Sequence, residues 1–179
     1  MEEKNAEYDK EMAEIFVDPY KYAVTVHINN IKSPNNTVEI KKEYIEGLEA
    51  ILVKQDISTA ASTFKMLSDC TDLISVPDVE DDVCRMLGYI AQNVEPVAKE
   101  LLRCGVIKKC MNLYKDKPEA VNGIVFLFTI LNNTLSNFSA EIKASGEDPS
   151  IISQISKDGP HITSKSQERL AEIIKSLAK

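Results

Sequence analysis

The chain has 179 residues, 44% of them hydrophobic and 27% charged, with a formal net charge of -7. That length suits one ordinary domain, and the apolar fraction is too high for a disordered polymer. The negative charge disfavours binding driven by phosphate neutralisation, on nucleic acid or anionic membranes, and no run approaches the roughly 18 consecutive apolar residues of a membrane span.

The N-terminus, Met1-Glu2-Glu3-Lys4-Asn5-Ala6-Glu7, is acidic and polar, unlike a secretory signal or a mitochondrial presequence. Residues 1–17 carry a weak apolar stripe, Met12, Ile15 and Phe16, and read as an arm or frayed helix ahead of a helical domain over 18–179. Asp18-Pro19 restarts the chain. Tyr20, Ala23, Val24, His27, Ile28 and Ile31 then mark a helical face, although Tyr22, Val24, Val26 and Ile28 also alternate as a strand would.

Ser33-Pro34-Asn35-Asn36 is a turn, and Thr37 a candidate N-cap for a helix with the stripe Ile40, Tyr44, Leu48, Ile51 and Leu52. Gly47 inside that helix weakens it by about 1 kcal/mol against alanine unless close packing needs the space. Asp56 caps a helix carrying Ile57, Ala60, Ala61, Phe64 and Leu67, which continues through Cys70 and Ile74 to Pro77. Pro77, with Asp78, Glu80, Asp81 and Asp82 after it, marks the next helix start, the acids complementing the helix dipole. An acidic docking patch is the sharper reading of the same residues.

Val79, Val83, Met86, Leu87, Ile90 and Ala91 form the buried stripe of that helix. Pro96 opens a short helix with Val97, Ala98, Leu101 and Leu102 apolar, and Gly105 suits the left-handed position that ends it. Ile107, Cys110, Met111 and Tyr114 carry another. The run Ile124-Val125-Phe126-Leu127-Phe128-Thr129-Ile130-Leu131 is apolar on every side and belongs at the buried centre. Asn132 to Ser139 and Ala144 to Ser150 read as loop, with a short turn at Ile151, Ile152 and Ile155. Ser164 with Gln167 forms a capping-box pattern, and the last helix bears Leu170, Ile173, Ile174 and Leu177 on one face.

Chemistry-bearing patterns are few. The six glycines do not cluster into a phosphate loop, and no nucleophile, base and acid group together. Cys70, Cys84, Cys104 and Cys110 lie among apolar positions without CxxC spacing, far in sequence from His27 and His161. Reduced, packed thiols, no metal and no cofactor are expected, in the cytoplasm or else the nucleus. Cys104 beside Gly105 could be an activated thiol at a helix N-terminus, which keeps a small cysteine enzyme as a remote alternative. Lys99, Arg103, Lys108 and Lys109 could form a basic patch, but a solvated helix end explains them as well.

A longer period is present. Leu48, Leu87 and Leu127 recur at a spacing of roughly 40 residues, and Pro77 and Pro118 repeat it, a period that belongs to stacked helical repeats. In such arrays neighbouring units bury one another's apolar faces. The segment Glu100-Leu101-Leu102-Arg103-Cys104-Gly105-Val106-Ile107-Lys108-Lys109-Cys110-Met111-Asn112-Leu113 resembles the first two helices of an armadillo repeat. Asp116 to Asn133 resembles the long third helix, and Arg85-Met86-Leu87-Gly88-Tyr89-Ile90-Ala91 the third helix of the preceding unit. The likeness extends over the stretch from Asp78 to Asn133.

The resemblance implies an all-α, armadillo/HEAT-like right-handed superhelix of about three repeats with capping helices. It implies a non-catalytic scaffold or adaptor that binds a protein or peptide along its groove. The same fold also suits a regulatory cofactor of a chaperone or GTPase. Importin-α-like members use a tryptophan and asparagine array. This chain has no tryptophan, and Arg85 and Tyr89 occupy those positions. The groove residues implied are Arg85, Tyr89, Gln92 and Asn93, with Thr129, Asn132 and Asn133 from the next unit. The acidic chain makes a partner with a basic segment one expectation. A weaker cap at the N-terminal end makes self-association through residues 1–31 another.

Overall fold

The computed structural model describes residues 18–53 and 60–178, and these are all-helical. Helix α1 (Pro19–Lys32) opens on proline, with the Asp18 carboxylate accepting from the Lys21 amide at 2.9 Å. After the Ser33–Asn36 turn, α2 (Val38–Val53) begins with Thr37 Oγ1 accepting from the Ile40 amide. The strand alternative for 22–28 loses because the 3.6-residue face is the one buried, at Val24, Ile28 and Ile31.

Three helical triplets follow. The first is α3 (Ala60–Asp72), a 3-10 turn at Leu73–Ser75, and α4 (Glu80–Ala91). The second is α5 (Glu95–Arg103), α6 (Val106–Asp116), and α7 (Val121–Thr134) entered through a 3-10 turn at Pro118–Ala120. The third is α8 (Phe138–Ala144), a 3-10 segment at Pro149–Gln154, and α9 (Ser164–Leu177). Gly105 has φ +73° and separates α5 from α6, a backbone state that glycine adopts without steric cost.

The elements pack in three rows. In the first, α1, α3, α5 and α8 are successive neighbours. In the second, α6 lies between the turns Leu73–Ser75 and Pro149–Gln154. In the third, α2, α4, α7 and α9 are successive neighbours, with α4 against α7 the most extensive contact. The third-row helices start at residues 38, 80, 121 and 164, a near-constant separation. They run parallel. Lys42 pairs with Asp82 near one end, and near the other Thr134 Oγ1 lies 3.4 Å from the Ala91 carbonyl and accepts from the Asn93 amide. Asn122 Oδ1 accepts from Thr163, and Asn132 Oδ1 accepts from Ser176 at the far end of the α7–α9 pair. Polar cross-links repeat nearly the same span: 37 residues for Lys117–Glu80, 39 for Lys108–Glu147 and 42 for Ser156–Tyr114.

The core runs between the rows. Leu67, Leu87, Leu101, Ile107, Ile124, Leu127, Phe128 and Leu170 are all fully buried in it. Burying each such side chain contributes roughly 1.5–3 kcal/mol before chain entropy is subtracted.

The structure corrects several local expectations. Ile40 is exposed and Ile45 is buried in its place, because α2 is covered by α4 on one side and α1 on the other. Pro77 does not open a helix: Asp78 takes φ +70° and α4 begins at Glu80. The segment read as loop around Asn132–Ser139 contains the end of α7 and the start of α8, which Asn137 caps by accepting from the Ala140 amide. Thr163 rather than Ser164 caps α9, and Gln167 donates to the Lys157 carbonyl instead of closing a capping box. The N-terminal arm over 1–17 and the Asp56 cap lie outside the described residues.

Candidate partner-binding face

The free side of the third row is where the expected groove residues fall. On α4, Arg85 and Tyr89 stand one turn apart. Tyr89 is 42% exposed, among the largest apolar exposures of the described residues. Its ring packs 5.1 Å from that of Phe126, tilted by 57°. Arg85 Nε donates to Asp81 at 2.6 Å, and its guanidinium lies over the same Phe126 ring at 5.6 Å. From the other side of the row, Arg169 of α9 brings a second guanidinium to 5.7 Å from that ring. One phenylalanine therefore organises side chains from α4, α7 and α9.

Phe126 reaches this position because Gly88 leaves the space. A Cβ at Gly88 would meet Phe126 Cε1 at 2.8 Å. Each guanidinium on the ring is worth about 0.5–1 kcal/mol at a half-exposed site. The tyrosine and the two arginines are thus ordered against one ring by contacts within the fold.

The remaining expected residues divide. Gln92 and Asn93 are exposed at the end of α4, Asn93 in a left-handed conformation with φ +62°. Asn133 is exposed at the end of α7. Thr129 donates to the Val125 carbonyl, and Asn132 turns toward α9 to accept from Ser176, so both are engaged within the fold. Sequence reasoning missed Phe126, which reads as one more core residue in an apolar run. It also missed Arg169, which sits in the charged face of the last helix. Their convergence depends on row packing, which leaves no local signature.

On α2 the exposed stripe is acidic: Glu39, Glu43 and Glu46. Lys42 within it is tied to Asp82 at 3.2 Å. The four-residue basic patch does not form. Lys99 pairs with Glu95 and Glu141, Arg103 with Glu100, and Lys109 with Asp72. The acids after Pro77 serve α4, although Glu80 is nearly buried and bonded to Lys117.

A separate cavity of about 340 Å³ opens where the Leu73–Ser75 turn faces α6. Ile74 and Leu113 lie in its wall, with the Lys109–Asp72 and Lys117–Glu80 pairs at its margins. Each of these charges is already matched. Burial pushes the Cys104 thiol up, away from the thiolate, and Cys70 up to about 12, while a hydrogen bond with Cys110 together with full burial raises Cys84. Among the described residues no three His, Cys, Asp or Glu side chains group as metal ligands, and no helix is long and apolar enough to cross a membrane. No protein-family model matches the chain, and no curated protein matches it significantly.

Proposed function

We propose that this protein is a non-catalytic binding module, an adaptor or scaffold. It presents the free side of α2, α4, α7 and α9 to a partner polypeptide. The observation that carries the reading is the preassembled cluster of exposed Tyr89 and Arg85 on Phe126, at the middle of four parallel helices. Tyrosine and arginine on a rigid support are the side chains that most often dominate interface energy. The armadillo/HEAT-like superhelix belongs to the same proposal. It is supported by the near-constant separation of the third-row helix starts and by polar links of similar span. The acidic stripe on α2 suits a partner with a basic segment at that end.

The test is affinity purification of the tagged protein from its native cells, with the Arg85→Ala/Tyr89→Ala variant alongside. A partner retained by wild type and lost by a variant of unchanged helicity is the expected result. A partner held equally by both overturns this face as the docking site.

A further inference from the structure

We infer that the face carries an oxyanion site at Arg169 that takes one carboxylate side chain of the partner polypeptide. The inference rests on the partner-binding reading above and adds the chemistry of one contact. Arg169 is half-buried, yet its guanidinium makes no hydrogen bond or ion pair with a described residue. Glu172, one turn further along α9, is exposed and does not engage it. Phe126 holds the guanidinium at 5.7 Å by an attraction that commits none of its N–H donors. Arg85 holds the same ring from α4 and gives Nε to Asp81, leaving its terminal nitrogens available.

Charge selects the ligand. Arg85 pairs with Asp81, whereas the Arg169 guanidinium pairs with no acid among the described residues, Glu168 and Glu172 on its own helix included. One carboxylate fills that place, because its two oxygens match the planar fork of a guanidinium. A phosphate dianion would meet more repulsion than a carboxylate beside Asp81, Glu168 and Glu172, on a chain of net charge -7. Tyr89, packed on the same ring, supplies apolar contact for the residues flanking that carboxylate. The anchor is distinct from the acidic stripe on α2, so the preferred ligand is dipolar: a basic stretch near α2, an acidic residue at Arg169.

The test is selection of binders to the full chain from a random displayed library of short peptides, followed by affinity measurement. Selected peptides should share one Asp or Glu. Changing it to Asn or Gln should weaken binding about 10-fold, the scale of one charge-assisted pair. In Arg169→Gln that tenfold difference should vanish, and Arg169→Glu should prefer the peptide with arginine at the same position, a swap that a merely structural role would not produce. Binders lost in Tyr89→Ala but indifferent to every Arg169 variant overturn the oxyanion site and leave the docking face standing. Binders indifferent to Tyr89→Ala, or no binders at all, overturn both. A phosphoserine peptide binding tighter than its glutamate counterpart overturns the assignment to a carboxylate.

Discussion

Gly123 lets α7 lie directly against the backbone of α4. A Cβ there would stand 2.7 Å from Asp81 Oδ1, 2.8 Å from the Asp81 carbonyl and 2.9 Å from its Cα. At Gly88 the obstacle is a ring edge instead, which can tilt. Alanine improves helix propensity by about 1 kcal/mol at both sites, but overpacking costs about 1–3 kcal/mol and more where backbone must move. Gly123→Ala should therefore lose about 2 kcal/mol net and Gly88→Ala about 1 kcal/mol or less, read from urea midpoints. Equal losses would contradict the difference between backbone and ring. Gly47 stood out inside a legible helix as either a weak point or a close approach, and the second holds: His27 Nε2 lies 2.6 Å from where its Cβ would stand. Gly88 and Gly123 did not stand out, since each accommodates a residue of the neighbouring unit, remote in the chain.

Glu147 acts at the same scale. Its Oε1 accepts from the Lys108 amide in the first turn of α6 at 2.9 Å, while Oε2 is buried with no hydrogen-bond partner among the described residues. Desolvation holds its carboxyl above the usual value, against the opposing hydrogen bond from Lys108. The folded chain binds this proton more tightly than the unfolded one, so this contribution to stability is lost as pH rises from the unfolded to the raised folded value. Glu147→Gln keeps the acceptor and removes the titration. The variant should gain stability relative to wild type as pH rises above the ordinary glutamate value of about 4.3. A difference that stays constant over that rise would rule the effect out.

Among elements, the Glu80–Lys117 pair joins the start of α4 to the turn that enters α7. The Glu80 side chain is 10% exposed, so losing its cation leaves a carboxylate poorly solvated. Lys117→Met should cost about 2 kcal/mol, below the roughly 3–5 kcal/mol typical of fully buried pairs because Lys117 is itself 37% exposed. Adding Glu80→Leu should recover most of that loss in the urea midpoint, and a double variant no better than the single would refute the account. Elements with long apolar stripes were legible: α1, α4, α5, α7 and α9 lie close to where periodicity put them. Helix α8 was not, because so short a helix gives two stripe positions, Phe138 and Ile142, amid polar neighbours.

For the molecule as a whole, each third-row helix leans on its immediate neighbours in the row. Stability in such an arrangement accumulates by contact between adjacent units. Amide exchange should be slowest in α4 and α7, and faster outward to α1 and α9. Protection of α1 equal to that of α7 would instead mark one undivided cooperative core. The roughly 40-residue spacing of Leu48, Leu87 and Leu127 matches the spacing of the third-row helices that carry them, whereas Pro77, read as a helix start, opens none. The spacing said nothing of which side chains would meet across the row, because that depends on the rotation of each helix about its own axis.

Gly88 is a slot and Phe126 the tooth that enters it. Counted from the start of each helix, the position in α7 equivalent to Gly88 in α4 is Thr129. A duplicate of α7 laid against α7 would drive its phenyl ring into a threonine where the existing joint has a gap. The units are thus keyed rather than interchangeable. Lengthening this protein by copying its middle would first require carving a glycine at 129, and the succession of its parts is fixed by the shapes of the holes between them.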